Sequence, residues 1–191
     1  YLGDTALNAA ASYLAGVMLH CHIPFDYIDS ETMCTDEQLD QDYSAVIISD
    51  YLSTSFRPEH FEHLIANTRS GAGLIMIGGW ESFTGLGGDY HSTPLAEILP
   101  VEMQDTDDRV NSFSPCMIRL DAEHPITATL PFVTQSVAIN GYNRLCAKPT
   151  ATTILSVNRY CVSFVDDDFE FSEQSVDPLL VVGQELNGRV A

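Results

Sequence analysis

Gly78-Gly79-Trp80-Glu81-Ser82-Phe83-Thr84-Gly85 closes an apolar run with two glycines, the sole tryptophan of the chain, a carboxylate and a hydroxyl. Paired glycines permit a sharp turn or a close backbone approach to a ligand. The indole offers a flat apolar wall with one N–H donor. A carboxylate beside it can have its pKa raised into the range where it works as a general acid. The loop continues through Gly87-Gly88 to Asp89 and His91. Glu81 or Asp89 is therefore the candidate general acid or base, with His91 as helper. Ser82 could act as a nucleophile only with a base within hydrogen-bond reach, and its neighbours in sequence identify none. Its hydroxyl reads better as a cap on the following turn.

The polar residues that follow two other apolar runs, Gly3-Asp4-Thr5 and Asp50-Tyr51-Leu52-Ser53, belong with this loop if the runs are parallel strands. In an open parallel sheet, ligands bind outside the carboxyl ends of the strands. The expected ligand-binding set is Asp4, Asp50, Tyr51, Gly78, Gly79, Trp80, Glu81 and Ser82. Asn140-Gly141-Tyr142-Asn143 adds amide and phenol groups at another strand end, suited to a polar ligand such as a sugar.

The positioning elements follow from periodicity. Tyr43–Asp50 and Gly73–Gly79 are unbroken apolar runs of strand length, as buried parallel strands require. Between them Phe61, Leu64 and Ile65 recur at helical spacing, with Pro58 at the start and Gly71 past the end, so Arg57–Ser70 is a helix. Thr5–Cys21 is expected to be a core-facing helix using Leu7, Ala10, Ala11, Leu14, Val17 and Met18. Phe25–Ile28 is expected to be a short strand, Thr35 the cap of a brief helix, and Pro94–Leu99 another. This alternation predicts an α/β fold with a mostly parallel sheet and helices on both faces. Met117–Leu120, Val137–Asn140, Thr153–Ser156 and Leu179–Val182 make the second half strand-rich, extending the sheet with antiparallel strands or a side hairpin layer. Gln104–Asn111 is expected to be a connection and Asp166–Glu170 an exposed acidic loop.

Composition narrows the function classes. The chain has 191 residues, enough for one domain spanning 1–191. Asp and Glu number 27 against 8 Lys and Arg, a net charge of −19 that repels phosphate backbones and anionic headgroups, so neither nucleic acid nor a membrane surface is an expected partner. Cys21, Cys34, Cys116, Cys146 and Cys161 are odd in number and without CxxC spacing, as reduced thiols of a cytoplasmic protein would be. His20-Cys21-His22 fits a helix end, His60 and His63 fit a solvent-facing polar pair, and Asp166–Asp168 lacks an EF-hand pattern, so no metal and no cofactor is expected. The sequence starts at Tyr1-Leu2-Gly3-Asp4, like the tail of a strand, and stops just after Asn187-Gly188 turns a hairpin, so a further strand or two is expected at each end.

The segment Gly78–Phe83, with Gly87-Gly88 and Thr93-Pro94-Leu95, resembles a bacterial family described as putative glutamine amidotransferase, within the class I glutamine amidotransferase-like superfamily. Asp121-Ala122-Glu123-His124-Pro125-Ile126 followed by Leu130-Pro131-Phe132 resembles a segment of that superfamily's trehalose-utilisation-type branch. The resemblance implies a flavodoxin-like sheet. In working amidotransferases of the class a strand ends in a Gly-x-Cys-x-Gly elbow, whose thiolate is activated by a His and a Glu from late in the chain. Here the elbow falls on Ile77-Gly78-Gly79-Trp80-Glu81, with Gly79 or an immediate neighbour in the nucleophile's place and no Cys among them. The late His and Glu are not located, and positions past Ala191 stay open for them.

Three functions follow as expectations. The first is a member of this fold that binds a small polar molecule and does not hydrolyse glutamine. The second is a hydrolase or isomerase on a carbohydrate-like substrate, using Glu81 or Asp89. The third is a structural module that forms a homo-oligomer.

Overall fold

The computed structural model describes residues 1–132 and 134–191. Its core is a mixed eight-stranded sheet, accompanied by few helices. Strands β1 (Leu2–Gly3), β2 (Ala45–Ser49) and β3 (Gly73–Ile77) lie side by side and parallel, with Ile48 opposite Met76 and Leu2 opposite Ile48. Helix α1 spans Ser12–His20, α2 Asp36–Leu39, α3 Pro58–Ser70 and α4 Leu95–Ile98.

α3 lays Phe61 and Leu64 into one buried cluster with Ile48, Leu74 and Met76, the inward residues of β2 and β3. Burial of each such side chain contributes about 1.5–3 kcal/mol, so this layer holds the parallel strands in register. His60 is buried at the start of α3, not solvent-facing as its spacing suggested. Its Nδ1 accepts the Arg57 backbone N–H at 3.2 Å, and its Nε2 lies 3.2 Å from Arg57 Nε and 3.0 Å from Asp36 Oδ1. The ring thereby caps its own helix and ties it to α2.

The first helix is shorter than its alanine-rich periodicity predicts. Asp4 and Thr5 take positive φ, and Ala6–Ala11 form turns whose bonds include Ala11 N–H to Asp4 O at 2.8 Å. Ala11, Ala15 and Met18 are buried, whereas Leu7, Ala10 and Val17 are exposed. Of the expected strand Phe25–Ile28, Ile28 alone bridges to Leu2.

The second half extends the same sheet with antiparallel strands. After β4 (Val101–Glu102) come β5 (Arg109–Leu120), β6 (Ala138–Asn143), β7 (Cys146–Ala147), β8 (Thr152–Val165), β9 (Asp168–Glu185) and β10 (Gly188–Val190). β10 pairs parallel with β3, and the order continues β10-β9-β8-β5-β6, antiparallel at every step. β4 and β7 form a separate pair.

The sheet is therefore mixed rather than mostly parallel. Tight turns at Asp166-Asp167 and Leu186-Asn187 join successive strands, and a connection that short permits only antiparallel pairing. The expected connection Gln104–Asn111 ends inside β5. The expected acidic loop is a two-residue turn, with Asp166 at φ 51° and Asp167 at φ 65°, at the tip of a long hairpin. Adjacent left-handed residues are what a type I′ hairpin turn requires.

Candidate functional site

β1, β2 and β3 all end at one edge of the sheet, and their following loops interlock through hydrogen bonds. Asp4 N–H donates to Ser49 O at 2.8 Å. Thr5 N–H donates to Ser30 Oγ at 2.9 Å, and the Ser30 hydroxyl donates to Asp50 O at 2.8 Å. Asp50, at φ 48°, sends its N–H to Ser82 Oγ at 2.9 Å and accepts the Glu81 N–H on Oδ1 at 2.5 Å. The three loops chosen from the sequence are thus spatial neighbours.

Their side chains divide into two groups. Ser82 is 0% exposed, and its Oγ is taken up by Asp50, so its place in the fold is that of a turn pin. Tyr51 lies inside the core, its hydroxyl donating to Thr32 O at 2.6 Å while its carbonyl accepts the Tyr90 hydroxyl at 2.7 Å. Asp4, Asp50 and Glu81 are half-buried. Burial, then the neighbouring Asp50 and Glu31 charges, raise the Glu81 pKa above the ordinary carboxylate value. Asp89 is exposed in a left-handed conformation that opens a short turn, and His91 is half-buried with Nδ1 unpartnered among the described residues.

The concave space lies on the other side of the glycine turn. A cavity of about 480 Å³ is lined by apolar side chains that include Ile75, Ile77, Leu179 and Val181, and by Trp80, Arg109, Asn111 and Asn143. Ile75 and Ile77 alternate with the buried Leu74 and Met76, so β3 shows one face to the core and the other to this cavity. Gly78, Gly79 and Trp80 of the expected set line it, whereas Asp4, Asp50, Tyr51, Glu81, Ser82, Asp89 and His91 are not among its lining residues. None of the five cysteines is among them either.

The polar residues at the cavity form a hydrogen-bonded frame. The Arg109 guanidinium sits 4.6 Å from the centroid of the Trp80 ring and is held there by Asp107 at 2.7 and 2.8 Å. Trp80 is 60% exposed, so it forms a wall and not a core anchor. Asn143 donates from Nδ2 to Gly79 O at 3.2 Å and to Asp108 Oδ1 at 2.6 Å. The other oxygen of the buried Asp108 accepts the Thr84 N–H at 3.0 Å. Asp108 thus locks the β3 loop to the end of β6.

Both glycines are required by close approach. A Cβ on Gly78 would overlap Asn143 Oδ1, and one on Gly79 would overlap Asp50 Oδ1. Each carboxamide or carboxylate is tied by its own hydrogen bonds, so neither is free to give way. Asp108 and Arg109 escape a reading by periodicity because they sit in a polar, acidic stretch. The signal that marks them is a lone arginine behind Asp105, Asp107 and Asp108 in a chain with only 8 basic residues.

The fold is a mixed α/β arrangement built on an eight-stranded sheet, with a cavity beside the turn that follows β3. Within that class the chain belongs to the family described as "Putative glutamine amidotransferase", whose family model matches residues 8–191. Its structure is similar to the cytoplasmic protein STM3548 from Salmonella typhimurium, with a TM-score of 0.78 and 28% identity over 94% of this chain and 73% of that one. It is also similar to the cytoplasmic protein STM1381 from Salmonella typhimurium LT2, with a TM-score of 0.73 and 29% identity over the same shares. No curated protein matches the sequence. No helix among the described residues is long and apolar enough to cross a membrane.

Proposed function

We propose that this chain is a cytoplasmic, flavodoxin-like member of its family that binds a small polar molecule in the cavity beside Trp80 and does not hydrolyse glutamine. The observation that carries the reading is the construction of the elbow. Asp50 and Asn143 occupy the space a side chain at position 79 or 78 would need, and none of the five cysteines is among the cavity's lining residues. Much of the lining is apolar, while an indole face, a guanidinium and a carboxamide also contribute to it. That combination suits a ligand with one apolar face and several hydroxyl or carbonyl groups. Arg109 prefers an oxygen acceptor, and Trp80 supplies the flat wall against which a sugar-like ring stacks.

Isothermal titration of the whole chain against L-glutamine and a panel of neutral and acidic sugars tests this. Saturable binding that weakens tenfold or more in Arg109→Ala supports it. Binding that Arg109→Ala and Asn143→Ala leave unchanged places the ligand elsewhere and refutes it.

A second reading has the raised pKa of Glu81 in its favour, as a general acid for a hydrolase or isomerase acting on a carbohydrate-like substrate. It ranks below the first because Glu81, Asp89 and His91 are not among the residues that line the cavity.

A further inference from the structure

The β8–β9 hairpin runs well past the rest of the sheet. β5 pairs with β8 only over Leu155–Asn158, and β10 pairs with β9 only over Gly183–Glu185. From Arg159 to Ser175 the two strands therefore have only each other as ladder partners among the described residues. An isolated two-stranded ribbon is marginal in water.

The ribbon has two unlike faces. Residues directly opposite in an antiparallel pair point to the same side. The pairs Tyr160–Glu173, Val162–Phe171 and Phe164–Phe169 therefore share one face, and the rings of Phe164 and Phe169 do meet, with centroids 5.0 Å apart. The other face carries Cys161, Ser163, Val165, Asp168, Glu170 and Ser172. Phe164, Phe169 and Phe171 are 62%, 63% and 71% exposed. A run of bulky side chains laid bare on one side of an arm, with every acid of the arm except Glu173 on the tip or the reverse side, is a patch of the kind that marks an interaction surface.

We infer that this face is the contact between two copies of the chain, packed arm against arm about a twofold axis. A twofold contact needs one patch that fits itself. The one charged residue of this patch is Glu173, at its base. In face-to-face packing of sheets the acids of the reverse face and tip stay in water, which a chain of net charge −19 requires if two copies are to meet. Covering Tyr160, Val162, Phe164, Phe169 and Phe171 removes on the order of 500 Å² per copy from water. Two copies therefore bury roughly 1,000 Å² before the backbone and polar flank are counted, close to where specific interfaces begin. The contact also supplies the second layer that the ribbon lacks. It is independent of what the cavity binds.

Sedimentation of the whole chain tests the inference, with wild type compared against Phe169→Ser/Phe171→Ser on the apolar face and Ser163→Lys on the reverse face. The expected result is a species of twice the 21.0 kDa chain mass for wild type and Ser163→Lys, and a monomer for the double variant with its far-ultraviolet dichroism unchanged. Because a misfolded double variant could mimic dissociation, Phe171→Lys is run beside it and must also be monomeric and folded. A wild-type monomer at about 100 µM overturns the inference, since such an interface should be populated well below that concentration. So does a dimer that survives both apolar-face variants.

Discussion

Asp50 and Glu81 are joined backbone to side chain: the Glu81 N–H donates to Asp50 Oδ1 at 2.5 Å, while the Asp50 N–H donates to Ser82 Oγ at 2.9 Å. This pair of bonds ties the loop after β2 to the loop after β3. It also fills the space above Gly79, so the same contact that builds the rim leaves no room for a side chain at the elbow.

Gly79→Ala is expected to destabilise the fold by about 1–3 kcal/mol, the usual cost of forcing extra atoms into a packed site. Urea unfolding measures it, and an unchanged midpoint would mean that Asp50 moves aside freely. Gly79→Cys is expected to cost at least as much and to gain no glutaminase activity.

Ser82→Ala leaves the Asp50 N–H without its acceptor in a partly buried place. A loss of about 1–3 kcal/mol is expected. Ser82→Thr, which keeps the hydroxyl, should recover part of it; equal losses in both variants would assign the effect to packing alone.

The raised pKa of Glu81 gives stability a defined pH dependence. The folded state holds this proton more tightly than the unfolded state, whose value is near 4.5. Stability therefore falls as pH rises from the unfolded value through the raised folded one, and the penalty is fully present above both. Glu81→Gln should remove that part of the dependence and stabilise the protein relative to wild type at neutral pH. Equal pH profiles of unfolding for the two proteins would count against the burial of this carboxyl.

The thiols divide by burial. Cys34 and Cys116 are buried while Cys21, Cys146 and Cys161 are exposed, and burial pushes the Cys34 thiol up to about 11. Titration of the native protein with a thiol reagent near pH 8 should modify the three exposed cysteines quickly and the other two only on unfolding. Rapid labelling of Cys34 would show a thiol far more reactive than this packing allows.

The parallel half of the fold was readable because its elements are marked at both levels. β2 and β3 are unbroken apolar runs, and α3 carries its stripe of Phe61 and Leu64 between Pro58 and Gly71. That the loops after β1, β2 and β3 are neighbours was readable for the same reason, but Asp4, Asp50, Tyr51, Glu81 and Ser82 do not line the cavity. The arm was not readable. Its residues from Tyr160 to Gln174 are exposed on both faces, so no core imposes a pattern, and its acids look like a loop. The frame of Asp108, Arg109 and Asn143 comes together only through the antiparallel pairing of β5 with β6, where Arg109 lies opposite Asn143. That register is a tertiary fact which the acidic stretch around it conceals.

The central claim is binding without thiol hydrolysis at the cavity beside Trp80. Because Trp80 is the sole tryptophan, its emission reports on that cavity alone, and released ammonia can be read in the same cuvette. Titration of the whole chain with L-glutamine and the sugar panel should give a saturable change in Trp80 emission for at least one compound and no ammonia from glutamine. Steady ammonia release that one Cys→Ser substitution abolishes would contradict the account.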